Sequence, residues 1–414
     1  MGLISWIKGK FSRDKPQNSF WFRQLPFLFG TSDSGKFVDD VTAMSNSVVL
    51  ACVKVLSESV ASLPLHFYRY TKNGKERAVD QTLYRLLHDA PNSTMTSFAF
   101  REMMMIQLLL RGNAYAYIVR DGNKEVMELL PLEARKMSVS YEDDWTISYT
   151  YSTDKSGLLK IPSQDILHIA GLGFDGLQGY SPIAMARNAI GLSLACEEHG
   201  AKFFSNGARP SGVLKCPTLL KDPSKLRESW ESAYGGSANA GKVAILEQGL
   251  DYQAISIPNS DAQFLETRRF QIEEIARIFR VPLHLLNDLS HATFSNIEHQ
   301  SLDYVVHTLT PYLVRWEQAL NKALLTQAEQ KEYFFKFNTG GLLRGDIKSR
   351  YESYAIGRQQ GFLSSNDIRE LEDMNLLPDE EGGNAYLVNG NMMKVSQAGN
   401  AYEKAGDESA DNQE

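Results

Sequence analysis

The chain has 414 residues, 43% hydrophobic and 22% charged, with a formal net charge of −7. That is ordinary globular composition, enough for two to four domains, and its acidic balance is opposite to that of a protein that grips nucleic acid. No apolar run approaches the roughly 18 residues of a membrane span. Three scattered cysteines, Cys52, Cys196 and Cys216, argue for a reducing compartment and against a disulfide frame or zinc site. The opening MGLISWIKGKFSRDK is too interrupted by charge for a signal peptide, and Trp6 stands where a myristoylation signal needs Ser or Thr.

Residues 1–40 read as a loosely ordered arm carrying the aromatic cluster FWFRQLPFLFG, suited to docking on its own domain or on a neighbouring subunit. From Ser45 the pattern tightens. Val48, Val49, Cys52, Val55, Leu56, Val60 and Leu63 recur at helical spacing, and Pro64 stops that helix. LHFYRYTKNGKERAV predicts a hairpin turning at Asn73-Gly74. TLYRLLHDAP predicts a short helix, and SFAFREMMMIQLLLRG a longer one closed by Gly112, with Met103 to Met105 as packing rather than metal ligands. NAYAYIVRDGNKEVMELLPL predicts a second hairpin turning at Asp121-Gly122; MSVSYEDDWTISYTYS and QDILHIA supply further strands.

The run Gly171-x-Gly173-x-x-Gly176 follows a strand, as a dinucleotide fingerprint does. The next helix starts well past it, at Ser181-Pro182, and the acids Glu197 and Glu198 fall inside that helix, so the glycines read as a flexible connection. SPIAMARNAIGLSLACEEHGAKFFSNG predicts one long helix ending at Asn206-Gly207. A compact block follows: strand SGVLKCP, helix DPSKLRESWESAYGG capped by Asp222 with Pro223 at its first position, and a hairpin KVAILEQGLDYQAISI about Gln248-Gly249.

Asp261 to Leu325 reads as helix, polar loop and longer helix. Phe264, Leu265, Ile272, Ile275, Ala276 and Phe279 line the first helix, Ser260 and Gln263 forming a capping box, and Val281-Pro282 ends it. After the loop LHLLNDLSHATF the second helix opens with Ser295 and Glu298 as another capping box. It places Leu302, Val305, Val306, Leu309, Leu313, Trp316, Leu320 and Leu324 on one side, and Pro311 inside it should kink the axis. YFFKFNTGGLL predicts a strand; IKSRYESYAIGRQQG and SSNDIRELEDMN predict helices, the latter opened by Ser364 with Asp367 three residues on. The composition beyond Pro378 is that of a poorly ordered tail.

No H-E-x-x-H, G-x-x-x-x-G-K-[ST] or G-x-S-x-G motif occurs, and the eight histidines do not cluster at ligand spacing. His291 and His299 read as solvent-facing, Glu197-Glu198-His199 as a helical surface run, and Glu273-Glu274 and Asp143-Asp144 as solvated faces. Nothing assembles a nucleophile, a base and an orienter, so no catalytic, cofactor or metal site is expected.

Taken together, SNSVVLACVKVLSESVASLPLHFY, LLRGNAYAYIVR, GYSPIAMAR, FFSNGARPSGVL, GKVAILEQGLDYQAIS, QIEEIARIFRVPLHLL, SNIEHQSLDYVVHTLTPYLVRWEQALN and GLLRGD resemble, in order and spacing, the HK97-type portal proteins of tailed bacteriophages. The resemblance spans roughly Val41 to Pro378; Leu283 stands where a second proline is expected, and His299 where glutamine is. It implies an α+β portal fold assembling into a ring, usually of twelve subunits, at one capsid vertex of the virion, made in the host cytoplasm. The implied parts are an N-terminal arm (1–40), a wing (41–180), a stem helix (181–206) and an inserted β-α-β-β clip (207–257). A second stem segment (258–282), a channel loop (283–296), a long kinked helix with a wing strand (297–341), a helical crown (342–378) and a disordered tail (379–414) complete it. Asn287, Asp288, Ser290, His291, Thr293, Ser295 and Asn296 would face double-stranded DNA; Lys221, Lys225, Glu228, Trp230 and Glu231 of the clip would meet the large terminase subunit and later a head-completion protein. Major capsid and scaffold proteins are the other implied partners, with no membrane. A further vertex or head-tail adaptor ring is the alternative, and a DNA-processing α+β enzyme a remoter one.

A conduit needs weak contact with what passes through. Each phosphate neutralised by Lys or Arg adds affinity through counterion release. The loop holds no Lys or Arg, and twelve copies would carry about −84, twelve times −7. Arg268, Arg269, Arg277 and Arg280 on the stem helix are expected to pair with acids of the adjacent subunit rather than with DNA.

Overall fold

The computed structural model describes residues 29–387, apart from 73, 143–145, 155–156, 175, 206–211, 218–221, 235–245, 247–248, 255–259, 290–293, 340–346 and 373. The chain divides into two compact units, Met1–Thr339 and Gly340–Glu414.

The first unit opens with the short strands β1 (Gly30–Thr31) and β2 (Phe37–Val38), then helix α1 (Asp40–Ser45). Helix α2 (Ser47–Ser62) begins where Asn46 accepts from the backbone N–H groups of Val48 and Val49, an N-cap that satisfies two of the helix's orphan donors. Its buried stripe is Val49, Cys52, Val53, Leu56 and Val60. Strands β3 (Leu65–Thr71) and β4 (Gly74–Arg77) form the expected hairpin, but Thr71 pairs with Gly74, so Gly74 already belongs to the second strand rather than to the turn. After α3 (Thr82–His88), helix α4 (Ser97–Arg111) buries Phe100, Met104, Met105, Leu108 and Leu109, which confirms packing as the role of the last two methionines. Gly112 ends it in the left-handed region, φ 75°, as a C′ glycine does.

Strands β5 (Asn113–Arg120) and β6 (Val126–Leu132) make the second hairpin. The Asp121 carboxylate organises the turn by accepting from the N–H groups of Asn123 and Glu125. Strands β7 (Met137–Tyr141), β8 (Ile147–Thr153) and β9 (Gly157–Ile161) form a meander, and β10 (Ile166–Ala170) pairs antiparallel with β5. The sequence does not announce β9, because four of its five residues are exposed and no alternation marks it.

The helix expected over 181–206 is two helices, α5 (Pro182–Met185) and α6 (Arg187–Ser205). The Ser181 hydroxyl caps the first by accepting from Ala184 N–H, and Ala186 breaks the path at φ −90°, ψ 12°. Strand β11 (Gly212–Lys215), helix α7 (Pro223–Tyr234) and strand β12 (Asp251–Ala254) follow, β12 pairing antiparallel with β11. The first arm of the expected 242–257 hairpin lies largely outside the described residues. Helix α8 (Ser260–Phe279) packs against α6. It includes Ser260 as its first helical residue; the expected capping-box side chains lie outside the described residues.

The long helix is continuous but not uniform: α9 (Phe294–Asp303), a π-helical segment (Tyr304–Leu309) and α10 (Thr310–Leu324). Strand β13 (Tyr333–Phe337) then returns to pair antiparallel with β3, stacking Phe335 on Phe67 with centroids 4.5 Å apart. Trp316 of α10 is fully buried, and its indole N–H donates to the Met105 sulfur at 3.3 Å. Burial of Leu309, Leu313, Trp316, Leu320 and Leu324 confirms most of the predicted stripe; Leu302 and Val306 are 50% and 46% exposed instead. The π turn inserts a residue between them and α10, which shifts their facing.

In the second unit, α11 (Ile347–Gln359) precedes Gly361 at φ 78°, and α12 (Ser365–Leu371) carries the predicted capping box of Ser364 and Asp367. Part of the expected disordered tail is structured. The Asn366 side chain donates to Leu377 O and accepts from Leu377 N–H, and Asn366 N–H donates to Gly383 O, so the chain as far as Gly383 folds back on α12. Among the described residues no helix is long and apolar enough to cross a membrane.

Candidate functional site

The predicted loop begins where α8 ends, and that end is built rather than frayed. Val281 N–H donates to Ala276 O at 2.9 Å and Arg280 N–H to Arg277 O at 3.1 Å. This is a Schellman motif, whose C′ residue must be left-handed. Glycine is usual there; here Arg280 takes φ 55°, a conformation that costs a residue with a Cβ about 1–2 kcal/mol. The Thr308 hydroxyl offsets part of that cost by donating to Arg280 O at 2.7 Å. The strained turn is thereby fastened to the π segment of the long helix.

Pro282 then caps a 3-10 turn, Leu283–Leu286, with Leu285 N–H donating to Pro282 O. Asn287 closes it at φ 62°, a conformation asparagine tolerates better than most residues. The His284 ring lies between two residues of α9, Nδ1 2.9 Å from Gln300 Oε1 and Nε2 3.4 Å from Ser301 Oγ. Hence the 283–296 span is not one open loop. Its first four residues are helical and tied to α9, and its last three, Phe294, Ser295 and Asn296, are the first turn of α9. A first turn tolerates Ser and Asn because its N–H groups have no intrahelical acceptor. With the helix already begun at Phe294, Ser295 is not its N-cap.

Of the predicted loop-facing residues, Asn287 is exposed and Asp288 half-buried; Ser290, His291 and Thr293 lie outside the described residues. Leu289, which the reading of polar residues passed over, is 60% exposed. His284 and Thr308 were also missed, and Arg280, expected on the stem helix as a pairing cation, instead closes the helix end with its carbonyl held by Thr308. Only Arg-Val-Pro at a helix end without glycine hinted at them, because the bonds that define them join residues 16 to 28 positions apart.

The Pro311 kink takes a specific form. Proline has no N–H to continue the α ladder, and Thr310 N–H reaches back five residues to Val305 O, with the Thr310 hydroxyl donating to the same carbonyl at 2.8 Å. The helix thus carries a π insertion, a common feature of functional helices.

Behind the junction lies a cavity of about 250 Å³, bordered by Gly112, Gly171, Tyr180, Thr308, Pro311 and Arg315. Of the three glycines read as a flexible connection, Gly171 and Gly173 are packed against backbone, of Gly112 and Gln178, while Gly176 has open space about it. A Cβ on Gly179 would fall 2.0 Å from Gly112 O, and one on Gly112 would fall 2.0 Å from Tyr180 O. Two backbone segments cross in contact here, and Arg315 ties the crossing to α10 by donating to Ala170 O and Gly171 O at 3.0 and 2.7 Å. Burial lifts the Tyr312 hydroxyl above its ordinary range.

In the 207–257 block, Ser224 N–H donates to Asp222 Oδ1 at 3.1 Å, the expected cap. Lys225 and Glu228 are exposed on α7. Trp230 is half-buried, its ring stacked on Tyr252 of β12 at 5.5 Å, so it serves first to hold helix to strand. Lys221 and the Glu231 side chain lie outside the described residues. On the stem helix, Arg269 pairs within the chain with Glu273 at 3.8 Å. Glu197 is less a surface group than its helical run suggests: it accepts from the buried Asn46 amide at 3.2 Å, and burial raises its pKa.

A helical pair carrying an inserted block, a strained loop at its other end and a long interrupted helix returning to an α/β body define a portal-type subunit. The family described as phage portal protein matches residues 47–373. The portal protein of Enterobacteria phage HK97 is 33% identical over 369 residues, 87% of this chain and 86% of that protein. A chain from the neck of an empty gene transfer agent particle, computed with C6 symmetry, superposes with a TM-score of 0.59 at 25% identity, covering 84% of this chain and 96% of its own. The crystal structure of an HK97 family phage portal protein from Corynebacterium diphtheriae shares the fold, with a TM-score of 0.56 at 16% identity, covering 75% and 99%. The chain belongs to the phage portal protein family.

Proposed function

We propose that this chain assembles into a ring, of twelve subunits by family resemblance, that forms the channel through which double-stranded DNA enters the capsid, driven by a terminase motor, and later leaves. The ring sits at the capsid vertex of the virion, and the chain does no chemistry of its own. The block 207–257 is the docking surface for the terminase and then for head-completion proteins, with Lys225 and Glu228 exposed for it. The turn after α8 is the part that approaches DNA.

The observation that carries this reading is the junction at Arg280 to Asn287. Two left-handed non-glycine residues in eight positions, one clamped by Thr308, shape the backbone that leads into a stretch without lysine or arginine. Backbone strain of this kind gathers where a loop must present itself in one way. Its lack of cations keeps phosphate contacts weak.

Leu289→Lys tests it. The side chain is exposed, and unlike Asn287 it has no left-handed backbone to strain. One added cation per subunit should slow packaging at low salt and relieve the slowing as salt rises. A packaging rate that stays at the wild-type value across salt would overturn the placement of the loop. Absence of annular particles in negative stain would overturn the ring.

A further inference from the structure

The start of the long helix turns an apolar face outward that the conduit reading does not use. Leu302 and Val306 are four positions apart, so they share a face, and both are exposed. Asp303 stands beside them with its side chain 72% exposed. Its ion-pair partner among the described residues is His307 at 4.0 Å, which carries charge only when protonated. The face is thus a small apolar knob, flanked by an acid that no permanent cation neutralises.

A matching surface lies on the other side of the same helix. Val306 and Thr308 are two positions apart, about half a turn, and Thr308 and Pro311 border the cavity of about 250 Å³ behind the junction. Around that cavity Leu172, Met185 and Ile278 are 65%, 43% and 40% exposed. Phe174 extends the rim, exposed and with its ring 5.6 Å from that of Tyr180, another wall of the cavity. No Asp or Glu borders the cavity, but Arg280 and Arg315 do. Arg315 donates to two backbone carbonyls, which leave its charge uncancelled. The Arg280 carbonyl is held by Thr308, while its guanidinium is exposed and has no ion pair among the described residues.

The two surfaces therefore complement each other, an apolar knob with an acid and an apolar socket with cations. Exposed apolar patches of this kind mark where a partner binds. A closed ring needs unlike surfaces on two sides of each subunit, whereas a two-fold dimer joins like surfaces. The pair found here is unlike.

We propose that, in the ring, Leu302 and Val306 of one subunit seat on the Leu172–Met185–Ile278 rim of the next, and Asp303 pairs with the next subunit's Arg280. This rests on the ring reading and deepens it by naming the surfaces that join. It also gives the π turn a purpose, since the inserted residue turns Leu302 and Val306 away from their own core. Each strained junction is thereby braced by the neighbouring long helix.

The test uses the full chain with Cys196→Ser and Cys216→Ser, leaving only the buried Cys52 of the native thiols. Val306→Cys and Met185→Cys are introduced together, annular particles are checked in negative stain, and a short bismaleimide is added. The expected result is a ladder of covalent oligomers on a denaturing gel, roughly tenfold above that from Val306→Cys with Leu158→Cys, an exposed position on β9. Neither single variant should link, because the contact joins unlike surfaces. Asp303→Arg should cut the ladder about fivefold, and adding Arg280→Asp should restore it. With the native cysteines kept, Leu302→Arg sets a cation against Arg280 and should lower the ring fraction about fivefold on sizing at fixed concentration. Rings whose introduced thiols stay unlinked, a link confined to one chain, or a dimer from either single variant would overturn the contact and leave the ring standing. So would a swap that restores nothing, or an unchanged ring fraction for Leu302→Arg. If the unsubstituted chain forms no annular particle, the ring reading falls and this contact with it.

Discussion

In the body of the first unit, α2, α4 and α10 bury whole stripes at regular helical spacing, and their centre is Trp316 against Met105. Among the described residues between Arg280 and Pro311 the backbone leaves the regular path at Arg280, at Asn287 and through the π segment, and the Thr308 and His284 side chains tie this stretch to the long helix. The difference teaches where each region gets its definition. The body is specified by apolar area removed from water, which is tolerant of detail but large in sum. The junction is specified by a few directed bonds, which contribute little to stability and nearly everything to where the loop points.

Changes in the body should therefore show in stability first. Trp316→Ala removes the largest fully buried side chain and should cost about 3–5 kcal/mol; chemical denaturation of the purified chain reads it. A loss below 1 kcal/mol would mean that the core is centred elsewhere.

The next effect is a pH dependence. His66 is buried, its Nδ1 has no partner, and burial, with Arg77 and His88 nearby, lowers its pKa to about 4. The neutral ring is the folded form. The stability it preserves is complete above the unfolded value near 6.5 and is lost as pH falls toward 4. The loss reaches about 3 kcal/mol at pH 4 relative to pH 7. Denaturation midpoints at the two pH values, compared with those of His66→Phe, isolate that share; identical slopes in the two proteins would contradict it.

At the junction the balance should reverse. Thr308→Val takes a hydrogen bond from the strained Arg280 carbonyl and should cost only ~1 kcal/mol in stability, while packaging falls by a larger factor than any comparable loss in the body produces. Pro311→Ala is the mildest. It restores an N–H and lets the π turn relax toward α-helix, so stability should stay within ~1 kcal/mol of wild type while assembly or packaging suffers. Full packaging by this variant would show that the π insertion is incidental.

Much of this was legible beforehand where local chemistry and period agree. Asn46, Ser364 with Asp367, Asp222 and Gly112 sit at helix ends as their side chains, or lack of one, dictate. The stripe from Leu309 to Leu324 is buried as its spacing requires. The misreadings share a cause. The break at Ala186, the early start of α9 and the helical turn at Leu283–Leu286 depend on contacts that period alone does not encode. Gly171 read as slack because its partner, Gly112, is some 60 residues away in sequence.

By itself the sequence determined most of the helices and strands, the family, and a loop free of lysine and arginine, because hydrophobic period, capping and charge act over a few residues. Tertiary structure alone decided that Arg280 would be left-handed, that the Pro311 irregularity would become a π turn, and that β13 would pair with β3 across more than 250 residues. Each of those outcomes depends on a bond or a packed face whose two halves meet only after the chain has folded.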